Sequence, residues 1–531
     1  MSTRRALFVL IGLTAALRLV WAGSLGLGND EAYHYLFTIH RDWSYFDHPP
    51  MLSLAAGFGR LLGAGSSEPI FLRIGFIALF AGSTWLMARL AGRFFGERAG
   101  FWAAFALNVS AYHTAAVGAF ALPDGPLLFF WLLTLDRLAS AFDEPDRLAR
   151  WASVGFAWGC AALSKYHAVF LPMGALVYVV LEPRARRVLA KPGPYLAGVI
   201  GSLLFAPVIY WNATHDWASF AFQGGRAVGR GGLDLGSLAG ALVGQGLYLF
   251  PWVWFGLIAA LIGVTRRALR GGATAGELFL ASQSVTPLLL FSVVAAMRPI
   301  LPHWTLVGFL SAFPLLGRIC AELEARNPGR MALRARLTAS AAVLAAVVFA
   351  IQHHTGFLQI GAKRSLGLIA AEVDPTAEMY GWDRIRDRLD AGGWLDRPDV
   401  FLYTGNWYTS GQLAHAVRDR SAPVLCYHAW DARSFGYWSR PEEWVGKTGV
   451  LVVVRDRDTI ADAYDRYFRS IDLRDEFEVV RSGGRVRKVR IYECSDQQLA
   501  FPFGNGKRDE VIARIAAETG EVGPNDVSVD R

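Results

Sequence analysis

Residues 26–54 read "GLGNDEAYHYLFTIHRDWSYFDHPPMLSL" and place two polar clusters directly after an apolar segment. The first cluster is the acidic pair Asp30 and Glu31, and the second is Asp47 and His48, which two prolines follow. Charged side chains are costly inside hydrocarbon but not at its border with water. The stretch is therefore expected to be a loop at the edge of a membrane.

The composition indicates an integral membrane protein. Of the 531 residues, 53% are hydrophobic and 18% are charged, and the mean hydropathy is +0.29. Apolar segments of about 20 residues, the length that crosses a bilayer as a helix, recur until Ala350 and then stop. The net charge of +8 is dispersed over short loops and the tail rather than gathered on one face, which excludes a nucleic-acid-binding surface.

We expect about eleven membrane spans, the first of them an uncleaved helix rather than a signal peptide. The sequence "LSKYH" leaves open whether Trp151–Leu181 is one long helix or two short ones. The expected spans are Ala6–Ala22, Phe71–Gly92, Ala99–Gly118, Gly125–Ala141, Trp151–Leu163, His167–Leu181, Tyr195–Trp211, Gly236–Val264, Gly276–Ala296, His303–Cys320 and Thr338–Ile351.

Arginine distribution predicts the topology. With a cytoplasmic N-terminus, every second interhelical loop carries arginine, as the positive-inside rule requires of cytoplasmic loops. The unusual polar residues then fall on the opposite, extracytoplasmic face. An odd number of spans puts the tail from about Gly356 on that face too.

The tail is predicted to be a small α/β domain. Strands are expected at "DVFLYT", "APVLCYH" and "GVLVVVRD", a helix at "SGQLAHAVRDR", and a hairpin that turns at Gly483 and Gly484. Cys426 and Cys494 could pair if this domain is extracytoplasmic. The predicted organisation is a membrane domain over 1–355 with a first outer loop over 23–70, a soluble domain over 356–500, and a flexible tail over 501–531.

Several polar residues have both a structural and a functional interpretation. Asp30 and Glu31 can cap the next helix or act as acid and base, and Asp47 and His48 can form a helix cap, an acid/base pair or a metal site. Asp124 stands at the outer mouth of another span, again as a cap or as a functional acid. Lys165, Arg298 and His303 are at other outer breaks, where they can be solvated or can bind a phosphate.

Five stretches, in this order, are similar to the bacterial polyprenyl-phosphate-sugar-dependent glycosyltransferases. These enzymes include the protein O-mannosyltransferases and lipid A aminoarabinose transferases, which have the GT-C membrane fold. The stretches are "NDEAYHY", "FDHPP", "PDGPLLFFWLLTL", "LSKYHAVFLP" and "LPHWTL". The similarity covers the whole hydrophobic part of the chain.

The resemblance implies roles for individual residues. Asp30 matches the catalytic carboxylate, Glu31 its neighbour, and Asp124 the supporting acid of the second outer loop. Lys165 matches the lysine near the donor phosphate, and Asp47 and His48 match a metal-liganding acid and a phosphate-facing cation, although His48 replaces lysine. A divalent metal ion is thus an open expectation, and no nucleotide cofactor is expected.

The expected function is transfer of a hexosyl or pentosyl group, with inversion, from a polyprenyl-phosphate-linked sugar. The acceptor is an envelope component: lipid A or core sugar, polysaccharide or protein. The expected location is the bacterial inner membrane, with the active site and the C-terminal domain in the periplasm and membrane lipids as neighbours. A transporter or flippase of lipid-linked sugars, and a sensor with an extracytoplasmic domain, are the alternatives.

Overall fold

Two units make up the chain in the computed structural model, which describes residues 2–227, 232–454 and 462–502. The membrane unit comprises Met1–Gly23 and His48–Ala346, and the C-terminal unit comprises Ser24–Asp47 and Val347–Arg531. The sequence analysis placed the first outer loop in the membrane domain. In the structure, Ser24–Asp47, which is half of that loop, belongs to the C-terminal unit instead. The tail predicted to be flexible lies almost entirely outside the described residues.

The membrane unit is built of helices, and further helices lie in the C-terminal unit. In chain order the α-helices of the described residues are α1 (Thr3–Gly23), α2 (Asn29–Phe37), α3 (Met51–Leu62), α4 (Pro69–Phe95), α5 (Glu97–Val109), α6 (Asp124–Asp143), α7 (Leu148–Ser164), α8 (Phe170–Leu181), α9 (Gly193–Thr214), α10 (Ala218–Ala227), α11 (Leu235–Leu249), α12 (Pro251–Leu269), α13 (Ala275–Ala295), α14 (His303–Leu310), α15 (Phe313–Arg326), α16 (Pro328–Thr355), α17 (Trp382–Ala391), α18 (Trp407–Ala416) and α19 (Phe435–Trp438).

These helices make the chain a multi-pass membrane protein, although the expected count of eleven spans is not confirmed. In the described part of the chain, seven helices are long and apolar enough to cross a membrane: α1, α4, α6, α9, α12, α13 and α16. The bent pair α14 and α15, which meet at 61°, makes an eighth if it is one span. Shorter apolar helices also occur, among them α3 and α11.

Backbone breaks separate helices in two of the apolar stretches discussed above. Lys165 adopts an extended conformation (φ −161°, ψ 143°) and divides Trp151–Leu181 into two helices, which answers the question that the sequence left open. The expected span Gly236–Val264 is also two helices, because Phe250 has a φ of 65° immediately before Pro251. Proline disfavours helical backbone in the residue before it, so α11 ends there.

The core of the membrane unit lies around α6, which packs between α4 and α7. Trp131 of α6 is fully buried, and its indole donates a hydrogen bond to the Ser311 hydroxyl at 3.3 Å. A buried indole N–H needs such an acceptor. This packing fixes α6, whose first residue is Asp124.

The C-terminal unit contains the predicted α/β domain. Its five strands form a mixed sheet in the order β2-β1-β3-β5-β4, with β1 parallel to β2 and β3 and with β5 antiparallel to β3 and β4. The hairpin turns at Ser482 and Gly483, one residue earlier than predicted, and both residues have positive φ. The strands are β1 (Val400–Thr404), β2 (Val424–Cys426), β3 (Thr448–Val453), β4 (Phe468–Arg481) and β5 (Gly484–Gln497).

Strand β4 is an edge strand of this sheet and, within the described residues, pairs with β5 alone. Its register with β5 shifts twice, between Leu473 and Asp475 and between Val479 and Val480. Cys426 and Cys494, which could have formed a disulfide, are buried free thiols. The Tyr403 hydroxyl lies 3.1 Å from the Cys494 sulfur.

Helix α2 packs against α18 within the C-terminal unit. Gly411 of α18 lies so close to α2 that a Cβ there would come within 2.8 Å of the Tyr33 backbone. The neighbouring Gln412 donates from Nε2 to the carbonyl of Leu27 at 2.8 Å. These contacts fix the segment that leads into α2 and thereby position its first turn.

Candidate active site

Glu31 caps the start of α2. Gly28 is the N-cap residue, and its backbone N–H donates to Glu31 Oε2 at 3.0 Å. The Glu31 side chain reaches back as the third residue of the helix, which is the acidic half of a capping box. Since Glu31 is only 2% exposed, its carboxylate has a structural position in the helix cap.

Asp30 is the exposed member of the acidic pair. Within the described residues its carboxylate accepts no hydrogen bond and forms no ion pair, although it interacts electrostatically with Glu378 and Arg433. The helix N-terminus favours its negative charge. A carboxylate that is accessible and not consumed by a partner can accept a proton from a bound hydroxyl group.

Asp47 is buried, with 1% exposure, and is held by two residues of the C-terminal unit. Its Oδ2 accepts from the Arg433 guanidinium at 2.9 Å, and its Oδ1 accepts from the Tyr33 hydroxyl at 3.3 Å. The guanidinium lies over the Trp407 ring, 3.6 Å from its centre. Burial opposes the charge on Arg433, but Asp47 and Asp431 outweigh it and raise the pKa of Arg433.

This arrangement does not fit the metal site that Asp47 and His48 suggested. Both carboxylate oxygens of Asp47 already accept hydrogen bonds, so a cation there would compete with the Arg433 guanidinium at Oδ2 and with the Tyr33 hydroxyl at Oδ1. Within the ranges that the structure describes, no three His, Cys, Asp or Glu side chains are grouped so that they could hold a metal ion. Asp47 is better described as the partner of Arg433.

Asp124 and Lys165 form an ion pair in the membrane unit. The Lys165 ammonium donates to both oxygens of Asp124, at 3.0 and 2.9 Å. Lys165 can reach across because the break between α7 and α8 frees it from a helix, and Asp124 is the first residue of α6. The side chains are 9% and 16% exposed, so most of this pair is withdrawn from solvent.

Histidines surround this ion pair. Asp124 interacts electrostatically with His303 and His167, and His167 interacts in turn with His48. The His303 ring is stacked on Tyr112, with ring centres 5.6 Å apart, and Tyr112 is stacked on Tyr248 at 5.3 Å. We call Asp124, Lys165, His167 and His303 the basic cluster, because basic side chains outnumber the one carboxylate.

Arg298 has a different contact: its guanidinium donates to the carbonyl of Gly225 on α10 at 3.1 Å. The sequence analysis missed Arg226, the next residue of α10, which lies over the Trp304 ring at 4.9 Å and interacts electrostatically with His303. No motif marked it, because the surrounding "FQGGRAVGRGG" reads as a basic loop.

Known proteins share this architecture. The family described as dolichyl-phosphate-mannose-protein mannosyltransferase matches residues 47–211. The crystal structure of ArnT from Cupriavidus metallidurans bound to undecaprenyl phosphate matches with a TM-score of 0.62 and 17% identity, over 91% of this chain and 97% of that one. The chain has the GT-C fold of the protein O-mannosyltransferase and ArnT type.

The apo structure of the same ArnT matches this GT-C chain with a TM-score of 0.61 and 17% identity, over 92% of this chain and 98% of that one. No curated protein sequence matches the chain. The family match begins at Asp47 and includes Asp124 and Lys165, whereas Asp30 precedes it. The C-terminal residues Glu378 and Arg433 also lie outside it.

Proposed function

We propose that this chain is a glycosyltransferase that moves a sugar from a polyprenyl-phosphate-linked donor to an envelope acceptor. The observation that carries the proposal is the carboxylate of Asp30, which is exposed and has no hydrogen-bond or ion-pair partner within the described residues, in a chain with the GT-C fold. The ArnT of similar fold is described as binding undecaprenyl phosphate, which supports a polyprenyl-phosphate donor here. The comparisons do not favour the alternative of a transporter.

Asp30 acts as the base in this proposal. The acceptor hydroxyl gives its proton to the Asp30 carboxylate while its oxygen forms a bond to the anomeric carbon of the sugar. The bond from that carbon to the donor phosphate oxygen breaks, and its electron pair leaves with the polyprenyl phosphate. Attack opposite the leaving group inverts the anomeric configuration. The sugar is a hexose or a pentose, and the acceptor is a lipid, polysaccharide or protein.

The basic cluster stabilises the leaving phosphate. Lys165 supplies the permanent charge and His303 a hydrogen-bond donor, and His48, outside the cluster, supplies another. Positioned cations and donors lower the energy of a charge that develops during a reaction. Asp124 holds the ammonium in place at 2.9 Å until the donor arrives. Arg298 is the remaining candidate for phosphate contact. The site is proposed to face the periplasm across the bacterial inner membrane, together with the C-terminal domain.

The test compares Asp30→Asn with Asp383→Asn. Both aspartates are exposed and occupy the second position of a helix whose N-cap is glycine, so Asp383 is a matched control. Each variant is expressed in a strain that lacks the wild-type protein. Its membranes are then incubated with undecaprenyl-phosphate-linked mannose or 4-amino-arabinose in which the sugar is labelled.

Asp30→Asn is expected to reduce transfer of the label by at least about a hundredfold, with the donor left intact and the protein at normal membrane levels. Asp383→Asn is expected to transfer like the wild type. Undiminished transfer in Asp30→Asn would contradict the assigned mechanism. Absence of transfer by the wild type from either donor would exclude these two sugars as its substrates.

A further inference from the structure

Glu378 touches the helix that carries Asp30. It lies in the short 3-10 turn Ala377–Met379 and is partly buried. Its Oε1 accepts a hydrogen bond from the backbone N–H of Asn29, the first residue of α2, at 3.2 Å. Its own carbonyl is fixed by Trp382 at 2.8 Å and by Gln412 at 3.2 Å. The side chain therefore extends from a rigid turn to the first turn of α2.

Glycines allow this close approach. A Cβ on Gly26 would lie 2.5 Å from the carbonyl oxygen of Met379, and one on Gly28 would lie 3.0 Å from Glu378 Oε1. The first distance is too short for any other residue without movement of the backbone. The chain that enters α2 is thus pressed directly against the turn that carries Glu378.

Three carboxyl groups meet at this point. Burial raises the pKa of Glu378 to about 7, and the negative charges of Asp30 and Glu31 on α2 act in the same direction. The hydrogen bond from Asn29 and the charge of Arg487 on β5 oppose the increase. Glu378 therefore changes its charge near neutral pH, beside an exposed carboxylate.

We infer that Glu378 is a positioning residue for Asp30. Glu378 fixes the start of α2, and its own ionisation controls the negative charge beside the Asp30 carboxylate. This inference rests on the proposed function, because it assumes that Asp30 accepts the acceptor's proton. An ionised Glu378 repels the charge on Asp30, and that repulsion is relieved when Asp30 becomes protonated in the reaction. A protonated Glu378 provides no such assistance.

The consequence is a specific dependence of kcat on pH. As the pH rises through about 7, Glu378 loses its proton, and kcat is expected to increase on the order of threefold to tenfold. Substitution Glu378→Gln keeps an oxygen that can accept from Asn29 but removes the titration. The variant is expected to match the wild type near pH 6 and to lack the increase above it.

Glu372→Gln is the control. Glu372 is exposed and lies in the middle of the preceding 3-10 turn, Ala371–Val373, as Glu378 does in its own. The measurement is the initial rate of transfer from saturating undecaprenyl-phosphate-linked mannose or 4-amino-arabinose, whichever the wild type uses, between pH 5.5 and 8.5. The control is expected to show the same increase as the wild type.

An unchanged increase in Glu378→Gln, with the control also unchanged, would overturn the inference while leaving the proposed function intact. Full transfer by Asp30→Asn would instead overturn the proposed function. If Glu378→Gln fails to fold, Glu378→Asp retains a titrating carboxyl on a shorter stem. That variant should still show an increase in kcat, at a different pH from the wild type. An increase at the same pH as in the wild type would contradict the role of Glu378.

Discussion

Asp30 and Asp124 both lie in the first turn of an α-helix, but their surroundings differ. Asp30 is exposed and has no hydrogen-bond or ion-pair partner among the described residues, whereas both oxygens of Asp124 are held by the Lys165 ammonium. The helix dipole favours a negative charge at either position. The comparison teaches that the partner decides the role: a free carboxylate can take up a proton, and a paired one holds a cation.

The largest effect is expected from breaking the Asp124–Lys165 pair. Lys165→Met leaves the Asp124 carboxylate without its ammonium partner in a site largely withdrawn from solvent, and we expect a loss of roughly 3 kcal/mol in the free energy of unfolding. Transfer should fall by about a hundredfold, because the leaving phosphate also loses its cation. Thermal unfolding in detergent and initial rates with a labelled donor provide the measurements.

The double variant Asp124→Asn/Lys165→Met separates the two causes. It removes both charges, so stability should recover to within about 1 kcal/mol of the wild type while transfer stays low. A double variant with wild-type transfer would show that Lys165 serves only as the counterion of Asp124. Asp124→Asn alone keeps the ammonium and should reduce transfer by about tenfold, less than Asp30→Asn.

Asp47 provides the same comparison in the C-terminal unit. Asp47→Asn deprives the largely buried Arg433 guanidinium of its main carboxylate, and we expect a loss of about 2 kcal/mol in stability. Asp399→Asn is the control, because Asp399 pairs with Arg397 on the surface and such pairs contribute at most about 1 kcal/mol. Equal losses in urea-induced unfolding would contradict the importance of burial.

Stability should also depend on pH through Glu378. Its pKa rises on folding from 4.5 to about 7, so the folded state binds the proton more tightly than the unfolded state. The contribution to stability is present below pH 4.5 and is lost as the pH rises through 7. Between pH 5 and pH 8, the wild type should lose on the order of 1 kcal/mol relative to Glu378→Gln. Parallel melting-temperature curves would contradict this.

The smallest effect is expected from removing metal ions. Because Arg433 and Tyr33 already occupy the oxygens of Asp47, transfer after treatment with EDTA should stay within about twofold of the untreated rate. Transfer that disappears with EDTA and returns with one added divalent ion would require a metal-bound state of Asp47 and His48.

Local patterns predicted much of the fold. Alternating and continuous apolar runs identified the strands around Val400, Val424 and Val450 and the final hairpin, since strand patterning is visible over a few residues. The membrane spans were harder to predict from the sequence. Hydropathy detects apolar length but not breaks, so it merged α11 with α12 although Pro251 marks the break between them.

The candidate site could be predicted only in part. Asp124 and Lys165 stood out because each is a charge at the end of an apolar run, but their pairing depends on packing between α6 and the α7–α8 break. Glu378 and Arg433 lie in an ordinary polar tail and gave no signal. Their contacts with Asn29 and Asp47 join residues that are hundreds of positions apart, which no local pattern encodes.

The edge strand β4 has a bearing on self-association of the C-terminal domain. An exposed strand edge offers free backbone groups to which a second copy could add a strand, the first step towards aggregates. Charged side chains occupy much of β4, including Arg469, Asp472, Arg474, Asp475 and Glu476, and the two register shifts bend it. Charge repulsion and irregular twist both discourage such pairing. A preparation of this protein at high concentration should therefore resist fibre formation through this sheet.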